Sequence, residues 1–168
     1  MTTRAALLSV VTLLTAACGP SLQQVNRAKE ARYHAEYEEV WRAVNEVLRA
    51  HYPSLKRADH DNGILVTEWK LITKKAAGEV RGATSQAGAR HGGDYFQARV
   101  LIVPGGPPWR IVIQGEGAEH RPDFAMLVPY QRGNSDEPVW VDGRINELYV
   151  EIHQRLEKRA AGVEVAKR

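Results

Sequence analysis

The stretch ADHDNGILVTEWKLI, residues 58–72, decides the fold of this chain. Its Asn62-Gly63 pair supplies the positive backbone dihedrals that a tight hairpin turn requires, so strands are predicted over residues 54–60 and 64–72. On the second strand, one side carries Leu65, Thr67, Trp69 and Leu71, and the other carries Ile64, Val66, Glu68 and Lys70. One face suits packing while the other turns from apolar to charged, which favours a sheet that helices cover on one side only.

Apolar residues at helical spacing precede this hairpin. They are Tyr37, Val40, Trp41, Val44, Val47 and Leu48. Glu36, Glu38 and Glu39 favour a helix start through the helix dipole, and Pro53 ends the helix because proline disfavours helical backbone at the residue before it. The pattern predicts one amphipathic helix, with residues 32–35 as a short strand leading into it.

A second hairpin is predicted after residue 93. Its strands alternate through Phe96, Ala98, Val100 and Ile102 and then through Trp109, Ile111 and Ile113. Residues 104–108, rich in glycine and proline, form the turn between them. Gly115 and Gly117 are interpreted as further turn residues. The apolar run 124–128 is either an edge strand or a loop packed on the core.

The last strong pattern predicts a second amphipathic helix. Its apolar stripe consists of Ile145, Leu148, Tyr149, Ile152 and Leu156. The helix is expected from Asp142 to about Lys158, and an earlier start at Asp136 with Pro138 stays open. Helix, strands and helix in this order favour an α+β fold, with an antiparallel sheet of about four or five strands packed against two amphipathic helices.

Residues 73–93 interrupt the strand pattern. Their glycines and small side chains offer little apolar area to offset the entropy of ordering, so a mobile loop is expected. The loop carries four basic residues, Lys74, Lys75, Arg81 and Arg90. Two interpretations remain open: a basic arm that contacts phosphates of a lipid, of lipopolysaccharide or of a partner, and a solvated insertion.

The amino-terminal residues have the layout of a secretory signal. Arg4 precedes thirteen uncharged residues, and Ala16 and Ala17 stand directly before Cys18, the only cysteine in the chain. As a helix this segment reaches about 20 Å, short of the roughly 30 Å hydrocarbon core of a bilayer. A lone cysteine in an exported chain forms no internal disulfide, and metal sites need clustered ligands, so Cys18 is interpreted as an attachment point.

The residues around Cys18 resemble the lipobox of bacterial lipoproteins. Leu14 stands one place further from the cysteine than the usual leucine, with Thr15 in between. The resemblance implies a diacylglyceryl group on the Cys18 thiol, cleavage before Cys18 and acylation of the new amine. By analogy with enterobacterial sorting, Gly19 favours the outer membrane. The expected organisation is a signal peptide over 1–17, a lipidated cysteine and flexible tether over 18–32, one domain over 33–160 and a tail over 161–168.

Residues 33–72 carry a second resemblance. Tyr37-Glu-Glu-Val-Trp41, the acidic turn of residues 59–63 and Val66-Thr-Glu-Trp69 resemble the repeating domain of the BamC lipoproteins, which belong to the outer-membrane β-barrel assembly machinery. A competing resemblance is to helix-grip domains of the START type, which enclose an apolar ligand. Its lining would be Tyr33, Tyr37, Trp41, Trp69, Phe96 and Trp109, although aromatic residues at this spacing are typical of ordinary core.

Charge and motifs exclude several function classes. The formal net charge is +3, and removal of Arg4 with the leader leaves +2, which is too balanced for a nucleic-acid partner. The six histidines show no zinc spacing, and no catalytic motif is present. Glu116, Glu119, His120 and Asp123 form the densest titratable group, expected in a solvated loop.

The expected function is that of a non-enzymatic lipoprotein. It is anchored in the outer membrane on the periplasmic side, has no cofactor or metal and docks on an envelope protein in assembly or maintenance. The alternative is a membrane-tethered carrier of an apolar ligand. Apart from that alternative, no small-molecule ligand is expected.

Overall fold

The computed structural model describes residues 19–73, 93–121, 125–133 and 137–166. Within these residues the elements are α1 Leu22–Glu30, α2 Tyr37–His51, β1 Leu55–Asp59, β2 Ile64–Thr67, β3 Lys70–Thr73, β4 Asp94–Val103, β5 Arg110–Arg121, β6 Met126–Pro129 and α3 Val139–Ala166. The α+β class predicted from the sequence is confirmed. The described part of the chain has six strands and three helices, one strand and one helix more than expected.

The sheet is antiparallel, in the order β1-β2-β4-β5-β6. The predicted strand 64–72 is two strands, because pairing breaks at residues 68–69 and β3 joins β4 further along the same edge. Thr67 marks the break: its hydroxyl accepts a hydrogen bond from the backbone N–H of Ala98 (2.9 Å). The hairpin turn is confirmed, since Gly63 has φ +67° and a Cβ there would lie 2.6 Å from the Ile102 carbonyl oxygen.

Gly115 and Gly117 are not turn residues, contrary to the interpretation from sequence. Both lie inside β5, which continues to Arg121. A Cβ on Gly115 would stand 2.7 Å from the Phe96 ring, and one on Gly117 would stand 2.7 Å from Val141 Cγ2 on α3. The glycines therefore let α3 approach the sheet closely. Of the two alternatives for the run 124–128, the edge strand is the one formed, as β6.

The core lies between one face of the sheet and the helices α2 and α3. The alternation predicted for β4 is confirmed, since Phe96, Ala98, Val100 and Ile102 are at most 1 % exposed. From the helices the core receives Val40, Ala43, Val44, Val47 and Leu48 of α2 and Val141, Ile145, Leu148, Ile152 and Leu156 of α3. Each large side chain buried there stabilises the fold by about 1.5–3 kcal/mol.

Both ends of α3 differ from the prediction. The helix begins at Val139, directly after Pro138, whose carbonyl accepts from the N–H of Val141 (3.0 Å). This start lies midway between the two predicted starts, Asp136 and Asp142. The helix ends at Ala166, so it extends well beyond Lys158 into the segment predicted as a tail over 161–168.

α1 occupies part of the segment predicted as a flexible tether, and that prediction is wrong over Leu22–Glu30. Ser21 and Gln24 form a capping box, in which each side chain pairs with the backbone of the other residue. Val25 and Ala28 are buried against Val150 of α3. The helix is therefore part of the folded domain.

Candidate functional site

A cavity of about 850 Å³ lies where the connection between α1 and α2 meets α3, within the size range of ligand-binding sites. We call it the junction cavity. Its walls are Arg27, Glu30, Ala31, Arg32, Tyr33, His34, Ala35, Glu36, Glu39, His153, Leu156, Glu157 and Arg159. The cavity thus combines residues that are far apart in the sequence.

The connection between α1 and α2 is fixed to the start of β5. Tyr33 and Trp109 exchange two backbone hydrogen bonds, of 3.0 and 2.9 Å, and the indole N–H of Trp109 donates to the carbonyl of Ala35 (3.0 Å). The short strand predicted over residues 32–35 is reduced to this one bridge. One wall of the junction cavity is therefore held in place by the sheet.

Four side chains connect this wall to α3 and α1. Tyr33 Oη lies 3.3 Å from His153 Nδ1, and the tautomer of His153 decides which of the two donates. His153 Nε2 is buried and has no hydrogen bond within the described part of the chain, although Glu157 Oε1 lies 3.4 Å away. Arg27 donates to the same Glu157 oxygen at 2.5 Å. These polar contacts link α1, the connection between α1 and α2, and α3.

The side chain of Tyr33 makes these polar contacts as a neutral hydroxyl. Burial raises its pKa to about 12, and the negative charge of Glu157 contributes in the same direction. The hydroxyl therefore stays protonated near neutral pH. It can position a neighbouring group by hydrogen bonding, and it is a poor base.

The walls of the junction cavity carry charges of both signs. Arg27 pairs with Glu157, Arg159 pairs with Glu46 at 2.6 Å, and Arg32 donates to the backbone carbonyls of Glu30 and Ala31. The carboxylates of Glu30, Glu36 and Glu39 add negative charge. These charged groups alternate with apolar surface from residues such as Ala31, Ala35 and Leu156, and the apolar share of the lining is the larger.

The aromatic residues proposed to line a carrier cavity mostly fill space instead. Phe96 is fully buried in the core, while Tyr37, Trp41 and Trp109 are half-buried against it. The ring centroids of Tyr37 and Trp109 lie 5.1 Å apart, a distance typical of packed aromatic pairs. Of the six residues named for that alternative, only Tyr33 lines the junction cavity.

The other candidate residues from the sequence do not meet at this site. Cys18, Lys74, Lys75, Arg81 and Arg90 lie outside the described residues, as does Asp123. Glu116, Glu119 and His120 belong to β5, so their expected placement in a solvated loop is wrong. Glu116 is exposed, and Glu119 Oε2 lies 3.6 Å from Arg121 Nε.

Sequence reasoning missed the junction cavity and α1. The Ser21-x-x-Gln24 capping box, followed by Val25 and Ala28 three residues apart, is the signal that predicts a short amphipathic helix there. The cavity has no such local signal, because it forms between two stretches far apart in the chain, residues 27–39 and 153–159.

Comparisons with known proteins give no family. No protein-family model matches the sequence, and no curated protein is significantly similar to it. Among the described residues, no group of three or more histidine, cysteine, aspartate and glutamate side chains is arranged to hold a metal ion. None of the helices in that part of the chain is long and apolar enough to cross a bilayer.

Proposed function

We propose that this protein is a lipoprotein held in the bacterial outer membrane by acyl chains on Cys18, and that its domain docks non-enzymatically on an envelope protein. The proposed docking site is the junction cavity. The observation that carries the proposal is the size of this cavity together with the charges of both signs on its walls, which can form ion pairs and hydrogen bonds with a segment of another protein. The anchor rests on the signal-like residues before Cys18.

The position of α1 supports docking close to the membrane. Four residue steps separate Cys18 from Leu22, and a fully extended chain covers at most about 14 Å over that distance. Because α1 is packed on α3, an acylated Cys18 would hold the whole domain near the lipid headgroups. We therefore expect the partner to be a membrane protein or a protein bound at the membrane surface.

The polar groups of the site support a binding role. Tyr33 has a pKa of about 12, so its hydroxyl stays protonated near neutral pH, and Glu157 pairs with Arg27. These contacts orient side chains and supply charge for recognition.

The anchor is tested by Cys18→Ser. We expect this variant to lose palmitate labelling and to move from the membrane fraction to the soluble fraction, with an unchanged circular dichroism spectrum. Thr15→Leu is the matched control, because it places the usual leucine in the lipobox and should keep the label. Palmitate labelling or membrane retention that persists in Cys18→Ser would refute the anchor.

The docking site is tested by photo-crosslinking in intact cells. A photoreactive residue replaces Glu39, which lines the junction cavity, or Gln114, which is exposed on the face of the sheet that the helices leave uncovered. We expect one adduct of defined mass from position 39 only, and its loss when Cys18→Ser is added. Equal adducts from both positions would refute docking at the cavity, and a lipid that co-purifies with the protein in native mass spectrometry would favour the carrier.

A further inference from the structure

α1 is attached to the domain by very little apolar contact. It buries Val25 and Ala28 in a small cluster with Val150, which is separate from the main core. α2, in contrast, buries Val40, Ala43, Val44, Val47 and Leu48 in the main core. A helix of nine residues has little stability of its own in water, so α1 depends on these few contacts.

The stripe of α3 that contains Val150, the residue packed against α1, also carries polar side chains. Asn146, Val150, His153 and Glu157 follow one stripe of α3, at helical spacing. Asn146 Oδ1 is buried without a hydrogen bond among the described residues, which opposes the burial of this stripe, whereas His153 Nε2 lies 3.4 Å from Glu157 Oε1. The Arg27–Glu157 pair adds little, because its side chains are 70 % and 46 % exposed. Tyr149 packs on the same small cluster, and Lys29 Nζ lies 5.7 Å from the centroid of its ring, so α1 is held by a few individually weak contacts.

We propose that α1 is a detachable strap over a helix-binding stripe of α3, and that an amphipathic helix of the docking partner takes its place. The proposal rests on the docking function above and specifies how the partner binds. Detachment of α1 uncovers Val150 and opens the junction cavity, since Arg27 and Glu30 of α1 form part of its wall. Detachment of α1 thus makes both the stripe of α3 and the junction cavity accessible to the partner.

α1 itself indicates the chemistry of the partner helix. It places two small apolar residues three positions apart against Val150 and a basic residue beside Glu157. Asn146, one turn before Val150 on the same stripe, has no donor for its Oδ1 among the described residues. We expect the partner helix to combine such an apolar pair and a basic residue with a donor for Asn146, which would let it compete with α1.

Hydrogen exchange on the full-length protein in detergent tests detachment. We expect the amides of α1 to exchange at least about 100-fold faster than those in the middle of α2, because only a local opening is needed. Val25→Ser should remove the remaining protection of α1 without changing α2 and α3. Gln23→Ser, at an exposed position of the same helix, is the control and should leave α1 unchanged.

Two results of this measurement would overturn the proposal. One is exchange in α1 as slow as in α2. The other is a Val25→Ser variant in which α2 and α3 lose protection together with α1, because α1 would then belong to the main cooperative unit. The measurement needs neither an anchor nor a partner, so its outcome is independent of the fractionation and crosslinking tests above.

A synthetic peptide tests the helix-binding stripe. The probe is GPSLQQVNRAKEAR, residues 19–32, titrated to millimolar concentration into the Val25→Ser protein and followed by NMR shifts of the Val150 methyl groups. We expect shifts at Val150, and at least about tenfold weaker binding to wild-type protein, in which the resident α1 competes at high effective concentration. A peptide with serine at the Val25 and Ala28 positions is the control. Equal shifts with both peptides, or none with the probe, would refute the helix-binding stripe.

Discussion

At the scale of single residues, Tyr33 shows how a side chain of intermediate exposure can order a region. Its backbone pairs with Trp109 and its hydroxyl contacts His153, so it joins β5 to α3 through the connection between α1 and α2. Because burial raises its pKa to about 12, this contact is made by the neutral phenol. The residue therefore holds one wall of the junction cavity up to alkaline pH.

Tyr33 should contribute to alkaline unfolding. Between the ordinary pKa of about 10 and the folded value of about 12, the unfolded chain releases this proton before the folded chain does. The contribution of Tyr33 to stability is thus complete below pH 10 and decreases as the pH rises toward 12. We expect the melting temperature of Tyr33→Phe to lie below that of wild type at pH 8 and the difference to shrink by pH 11.5.

A spectroscopic titration checks the assignment to Tyr33. Absorbance at 295 nm reports ionisation of the six tyrosines. We expect Tyr33→Phe to lose one tyrosine from the group that ionises above pH 11. An unchanged number of late-ionising tyrosines would contradict the raised pKa.

Thr67 fixes the place where one predicted strand becomes two. The residue is fully buried, its hydroxyl accepts from the N–H of Ala98, and its carbonyl accepts from Gln97 Nε2 (2.8 Å). We expect Thr67→Val to lower the free energy of unfolding by about 1–3 kcal/mol, because it leaves a buried N–H without an acceptor. Chemical denaturation measures the loss. Thr67→Ser keeps the oxygen and should lose less, and equal losses would argue for packing instead.

At the scale of elements, glycine in β5 lets α3 pack close to the sheet. Gly115 lies under Phe96 and Ile145, whose side-chain atoms would be 2.7 and 2.8 Å from a Cβ there. A strand with larger residues at this position would push α3 away from the sheet. The short distance between α3 and the sheet therefore depends on the absence of a side chain at Gly115 of β5.

Two glycine-to-alanine substitutions should change the stability of the protein in opposite directions. Gly115→Ala is expected to cost about 1–3 kcal/mol of stability, because the added methyl overpacks the interface with α3. Gly143→Ala, on α3 with nothing within 4 Å of the added Cβ, is expected to stabilise by about 0.5–1 kcal/mol through helix propensity. Thermal unfolding of the two variants compares them, and a stabilising Gly115→Ala would contradict the close packing.

The elements also show what local sequence can predict. The alternation in β4 and the apolar stripe of α3 were found because each repeats with the period of its own element. Gly115 was misread because its role depends on α3, thirty residues away, and α1 was missed because its apolar face is only Val25 and Ala28. The junction cavity could not be predicted from local sequence, since it depends on how two distant stretches, residues 27–39 and 153–159, pack together.

At the scale of the whole molecule, the packing of α1 brings the domain close to its proposed anchor. A tether of fourteen residues would have allowed an end-to-end distance of about 20 Å, whereas four residue steps precede α1. The domain should therefore have a defined side toward the bilayer. The uncovered face of the sheet, with Gln114, belongs to a different side from α1.

A quenching experiment measures this orientation. Cys18 is the only cysteine and is expected to be acylated, so Gln23→Cys or Gln114→Cys adds a single thiol for a fluorescent label. In vesicles that contain nitroxide-labelled headgroups, we expect stronger quenching of the label at position 23 than at position 114. Equal quenching would mean that the anchor does not fix the orientation of the domain.

The bridge between Tyr33 and Trp109 has a mechanical consequence. Tension that enters through the amino end would first peel α1 from α3, and the next obstacle is the two backbone hydrogen bonds of this bridge together with the Trp109–Ala35 bond. The stress is thereby passed to β5 in the middle of the sheet before it reaches α2. A lateral force on the lipid-anchored protein would then detach α1 first and leave the rest of the domain folded.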